Sequence, residues 1–377
     1  MNIKNSLPIT LLQVITGTKL HNDSEPPYSI SAINWLIKTR LGSVLFEMFP
    51  TLPLSPELSS QLKTETLTAK FWQQTQYQAV VELISELNAH NLSPTLLKGI
   101  SVGSKFYPKP YFRAMRDIDL LVEEDQIEQV ERVMLKLGYK QKSHLPDSFY
   151  ITHHHTIPWQ HPEKEIWFEI HRGLFPPSSP CYSSNTFSIE TISSEKIRSN
   201  FNDIKVYRLG YEIQILYIAI HWGESFKQIG GLFALVDTAL IINNTEIDWD
   251  KLAQLAKEPE VANYVFFLLT YLDKYSLISN NTAKLNFYKL NHSLSTFDIY
   301  VLEKLVTNYL VLGKPFGRIL TINNVAILWK IFFSTKPSLQ KLILAPVYII
   351  FPPKSDKKFN LKFLFSRIKN FLFKSSY

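Results

Sequence analysis

The chain of 377 residues holds a single cysteine, Cys181. One thiol excludes an intramolecular disulfide framework and any zinc or iron–sulfur site built from several cysteines, and it fits a reducing compartment. Long hydrophobic runs are also missing. The N-terminus, Met1-Asn2-Ile3-Lys4-Asn5, leads into a short apolar stretch broken by Pro8, with no long apolar region and no small-residue cleavage site. No signal peptide is expected, and a cytoplasmic location is. Leu342–Phe351 is apolar but too short to span a bilayer, and it contains Pro346. No internal repeat at a fixed period is visible. Mean hydropathy is −0.04 with 45% hydrophobic residues, which excludes wholesale disorder and a polytopic membrane protein.

Acidic residues are scarce in one place. From Lys330 to Tyr377 there are ten Lys/Arg and one acid, Asp356, so this tail carries +9 of a chain whose net charge is +7. The body is therefore near neutral, and a pI of 9.1 does not mark it as a nucleic-acid binder. No nucleic-acid partner is expected. Phe359–Phe373 mixes Phe and Leu with Lys and Arg. It reads first as a C-terminal helix docked on the body with its lysines in water. The second reading is a basic amphipathic helix on anionic lipid or on a partner protein, which would make the chain membrane-peripheral.

What is present suggests an α+β architecture. Ile30–Phe49 reads as a helix ended by Pro50, Pro53 and Pro56. A second helix spans about Pro56 to Ala89, with Tyr77, Val80, Val81, Ile84 and Leu87 in one apolar stripe. Thr95–Lys98 and Ile118–Val122 read as strands, and Glu124–Leu137 as an amphipathic helix stopped by Gly138. Phe149–Trp159 and Ile166–His171 read as two further strands, and a polar stretch follows to about Asn202. Four helices are then predicted: Tyr211–Trp222, Gly231–Ile242, Trp249–Lys257 and Val261–Tyr275, with Asp248 as an N-cap. The expected organisation is an N-terminal helical segment (1–90), a small α/β core with a mixed sheet (91–204), a helical domain (205–330) and a basic apolar tail (331–377).

The informative residues are Asp117-Ile118-Asp119 at the start of an apolar strand. Residues i and i+2 of a strand share a face, so both carboxylates project to one side. Two like charges held that close repel unless a cation sits between them, and a hard ion such as Mg²⁺ is the natural occupant. Glu169 is a further acid, flanked by apolar residues on another strand, where a charge needs a partner or a metal. The structural alternative is a strand-entry turn in which Asp119 pairs with Arg116 or Arg113. His153-His154-His155 invites a zinc reading. No common zinc spacing is matched and no third protein ligand is identified, so substrate contact by His153, His155 and His171, or a structural role, is preferred. His221 and Asp237 either pair across helices or face the cleft.

The series Leu97-Lys98-Gly99, Tyr107-Pro108, Arg113-x-x-x-Asp117-Ile118-Asp119-Leu120-Leu121-Val122, Leu137-Gly138-Tyr139, Glu169-Ile170-His171, His221, Asp237 and Ile247-Asp248-Trp249 resembles the bacterial uncharacterised nucleotidyltransferase family, of the DNA polymerase β-like superfamily. The resemblance covers roughly 60–330. It implies metal-dependent transfer of a nucleoside monophosphate, by default AMP from ATP, to a hydroxyl of a small molecule or a protein. It implies two Mg²⁺ ions, with Asp117, Asp119 and Glu169 as metal ligands and catalytic acids, and Lys98, Gly99, Ser101 and Arg113 at the nucleotide. The family pattern has a second small residue directly after the glycine; here it is displaced by one, in Gly99-Ile100-Ser101. The alternative is a catalytically inactive module on the same fold that holds a nucleotide or a partner.

Overall fold

A computed structural model of the chain describes residues 3–19, 26–279, 289–316 and 320–350. It begins with three short helices, α1 (Leu7–Ile15), α2 (Ile30–Lys38) and α3 (Gly42–Met48). The single helix expected over 30–49 is thus two. Arg40 has a φ of +68°, a left-handed backbone that no right-handed helix can contain. Helix α4 (Pro56–Ala89) has the expected bounds. The Ser55 hydroxyl accepts from the Leu58 N–H, and Pro56 takes a position whose N–H would be unpaired anyway.

The sheet region follows as β1 (Thr95–Leu96), α5 (Lys98–Phe106), β2 (Ile118–Leu121), α6 (Ile127–Lys136), β3 (Lys140–Gln141), α7 (Asp147–Tyr150), β4 (Trp159–Gln160), β5 (Trp167–His171), α8 (Ile189–Glu195), β6 (Lys196–Phe201) and β7 (Ile204–Leu209). The seven strands lie in the order β3-β4-β5-β2-β1-β7-β6. The sheet is mixed: β2 is parallel to β5 and β1 is parallel to β7, while the other pairs are antiparallel.

Two expectations fail here. Phe149–Trp159 is not a strand. It holds the end of α7, an irregular loop through the three histidines, and the first residue of β4. Pro158 cannot donate to a ladder, and the loop touches the sheet through one bridge, His155 to His171. The polar stretch before Asn202 is in turn part of a hairpin. β6 and β7 are joined through Asn202 (φ +44°) and Asp203 (φ +66°), a two-residue connection with both central residues left-handed.

The helical part contains α9 (Tyr211–Glu224), α10 (Gly231–Asn244), α11 (Trp249–Leu255) and α12 (Pro259–Lys274), then helices at Thr296–Leu305, Ile322–Phe333 and Ser338–Ile350. Asp248 caps α11 by accepting from the Lys251 N–H, as its position predicts. Two cores result. One packs the sheet against α4 and α6, through residues such as Val80, Leu83, Leu120, Val130 and Phe168. The other joins α1–α3 to the C-terminal helices. Among the described residues no helix is long and apolar enough to cross a membrane. Residues 351–377, including the helix expected at 359–373, lie outside the described residues.

Candidate functional site

Strands β2 and β5 are neighbours in parallel, and their register sets Asp119 directly beside Glu169. Cross-strand neighbours project to the same face. The two carboxylates therefore meet, and His171, two residues beyond Glu169, projects with them. His171 Nε2 lies 2.9 Å from Asp119 Oδ1 and 3.6 Å from Glu169 Oε2. Lys98 donates to the same Asp119 Oδ1 at 2.7 Å. Asp119 and His171 are buried, and Glu169 is half-buried. One ligand atom from each of Asp119, Glu169 and His171 lies within 4.8 Å of the other two.

Asp117 sits at the rim of this cluster. Its carboxylate accepts from Arg116 Nη2 at 3.0 Å and Nε at 3.2 Å. Burial and the negative charges of Asp119 and Glu169 push its carboxyl above the usual value. Asp119 goes the other way. Burial alone would raise it, but the Lys98 ammonium and the bond to His171 hold it well below the usual carboxylate range. Burial would likewise raise Glu169, and the bond to His171 together with the Lys98 and His155 charges lowers it instead. Burial would lower His171, and its bonds to Asp119 and Glu169 raise it instead. The alternative partner of Asp119 weighed from the sequence, an arginine, is replaced by Lys98 and His171.

Lys98 begins α5 at a φ of +45° and is committed to Asp119. Gly99 has a packing role. A Cβ there would come within 2.8 Å of Met115 Cγ, and one at Gly103 within 3.1 Å of Arg113 Cβ. These two glycines let α5 close onto the segment that leads into β2. Ser101 is a buried residue of α5, and its carbonyl and hydroxyl accept from the Arg208 guanidinium. Arg113 donates to Asp237 Oδ1 and Oδ2 at 2.9 and 3.0 Å and lies over the Phe233 ring. Tyr107 donates to the same Asp237 at 2.6 Å. Asp237 therefore pairs with Arg113 and Tyr107 rather than with His221, which packs beside Tyr217.

His153, His154 and His155 come together beside the acids. Their ring centroids are 4.2 Å (153–154), 4.4 Å (153–155) and 4.9 Å (154–155) apart. His155 Nε2 is 3.9 Å from Glu169 Oε2. Burial lowers the pKa of all three, to about 4 at His153. Because 149–159 is a loop here and not the expected strand, His154 lies in with His153 and His155. Lys227, in the connection between α9 and α10, was not singled out from the sequence. It is an exposed ammonium with no hydrogen bond or ion pair among the described residues. Burial of part of its surface and the Lys98 charge lower its pKa, while Asp117 opposes them. Only the fold puts it near Asp117, so no sequence signal could have found it.

A family model described as an uncharacterised nucleotidyltransferase matches residues 31–276. Among solved structures, the solution structure of the antibiotic-resistance factor ANT(2'')-Ia matches at 12% identity and a TM-score of 0.34, over 48% of this chain and 90% of its own. The curated proteins yield no match.

Proposed function

The chain belongs to the uncharacterised nucleotidyltransferase family, and from that premise we propose that it moves a nucleoside monophosphate, AMP from ATP by default, onto a hydroxyl of a small molecule or a protein. The observation that carries this reading is the β2–β5 register, in which Asp119 and Glu169 are paired neighbours and Asp117 lies two residues before Asp119. The donor set suits a divalent cation. Asp117 lies close to two other carboxylates and, among the described residues, is bonded only to the exposed Arg116. Asp117, Asp119 and Glu169 would hold the metal, as oxygen ligands for Mg²⁺. When bound, such a cation supplies Lewis-acid chemistry, acidifying the acceptor hydroxyl and neutralising charge on the phosphates.

The chain's own residues account for the remaining steps. Lys98 keeps Asp119 ionised, and with Lys227 it offers positive charge to the triphosphate. His171 fixes the Asp119 and Glu169 carboxylates against each other. The acceptor oxygen forms a bond to the α-phosphorus as the bond to pyrophosphate breaks, and the hydroxyl proton passes to Glu169.

The test is pyrophosphate release from ATP and divalent metal over a panel of hydroxyl acceptors. Asp119→Asn is expected to lower the rate by about 10²–10³-fold while the circular dichroism spectrum stays that of the wild type. Unchanged release by that variant refutes the assignment. Nucleotide binding by calorimetry, without release on any acceptor, would favour the inactive binding module.

A further inference from the structure

We propose that the loop His153-His154-His155 forms a second metal site, selective for a transition-metal dication of the zinc class and distinct from the carboxylate site. One imidazole nitrogen from each of the three lies within 4.8 Å of the other two. His155 Nδ1 is 2.7 Å from the Thr156 carbonyl oxygen. Its N–H donates there, which leaves the Nε2 lone pair free. A ligating histidine is commonly fixed by such a bond from its second nitrogen to a backbone carbonyl. Among the described residues, His153 Nδ1 and His154 Nδ1 are buried and have no hydrogen-bond partner. Two adjacent buried ring nitrogens without partners are costly, and in the tautomer that leaves each Nδ1 unprotonated a metal ion would take both lone pairs.

Two of the three ring pairs meet edge to face, at 78° and 75°, and the third is tilted at 44°. The walls are aromatic: Phe149 lies 4.6 Å from His153, and Tyr150 lies 5.6 Å from His155. Tyr150 is pinned by a 2.6 Å bond to Ser143. An all-imidazole donor set prefers zinc, nickel or cobalt over magnesium, which takes oxygen ligands. Three protein ligands leave a fourth coordination position for water or a further donor.

The test uses the full chain stripped of metal by chelation, with Co²⁺ as a visible-absorption probe and no nucleotide present. A failed nucleotidyl-transfer reading therefore leaves this test untouched. One equivalent of Co²⁺ is expected to develop its d–d bands in the wild type and equally in Asp119→Asn. Zn²⁺ should displace it, and excess Mg²⁺ should not. His153→Ala and His154→Ala should each weaken Co²⁺ binding at least about 10-fold. Thermal unfolding without metal reports whether each variant folds, and His154→Gln serves if His154→Ala does not. The proposal is overturned if the folded wild type gives no bands. It is equally overturned if the bands vanish in Asp119→Asn and persist in both histidine variants, since the ion would then sit at the carboxylates.

Discussion

Asp237 is buried, and two donors converge on it, the Arg113 guanidinium and the Tyr107 hydroxyl. Arg113 is itself nearly enclosed, with 14% of its side chain exposed. Removing the carboxylate leaves that cation without its counter-charge in a low-dielectric setting. Asp237→Ala is therefore expected to cost about 3–5 kcal/mol in urea unfolding. Replacing it by Asn should cost less, because one acceptor survives. A surface cluster gives a smaller effect with a pH signature. Burial would raise the Glu47 pKa, but Lys109, Lys70 and Tyr111 hold it down at about 2. A depressed carboxylate stabilises the fold above its ordinary pKa near 4.5, and that contribution is lost as pH falls from about 4.5 to 2. Both lysines are well exposed, so the gap between wild type and Glu47→Gln should be about 1 kcal/mol or less at pH 7 and should close over that window. Equilibrium unfolding at a series of pH values checks the sign.

At the level of elements, helix crossings turn on single residues. Helix propensity favours alanine over glycine inside α9. The fold reverses that preference at Gly223, where a Cβ would overlap the Tyr264 ring of α12. Gly223→Ala should destabilise by about 1–3 kcal/mol, and Gly223→Ala with Tyr264→Ala should recover part of the overlap cost in a double-mutant cycle. Helix Ser338–Ile350 is anchored differently. Lys341 is fully buried, lies 3.1 Å from Asp298 and donates to the Phe332 carbonyl. Asp298 also forms the capping box of Thr296–Leu305 with Ser295. One carboxylate thus fixes a helix start and receives a buried cation from another helix.

Across the whole molecule, the first and last thirds of the chain fold together. The Trp35 indole N–H donates to the Leu310 carbonyl at 2.7 Å, and the Asn243 amide donates to the Thr16 and Leu277 carbonyls. The nucleotide reading predicts linkage at this scale. A ligand that binds only the folded state stabilises it by mass action. ATP with Mg²⁺ at about 100 times its dissociation constant should add about 2.7 kcal/mol and raise the Tm, and the gain should be largely lost in Asp119→Asn. Differential scanning fluorimetry with and without chelator decides it.

The sequence by itself determined what depends on local order. Helix α4, the cap at Asp248, and α9 to α12 follow from periodicity and capping chemistry, which act within a few residues. The Asp-x-Asp pair at the entry to β2 is equally local. The Asn202-Asp203 turn was also legible in principle, but charged and polar residues on the outer face of β6 hid the strand alternation. Tertiary structure decided the rest. Nothing within β2 indicates that β5 will lie beside it, or in which register, and one residue of slip would turn Glu169 away from Asp119. The meeting of Lys98 and His171 on one carboxylate oxygen, of Arg113 with Asp237, and of the histidine loop with Glu169 are non-local contacts. They depend on how strands pair and how loops close, and residue spacing along the chain carries no record of either.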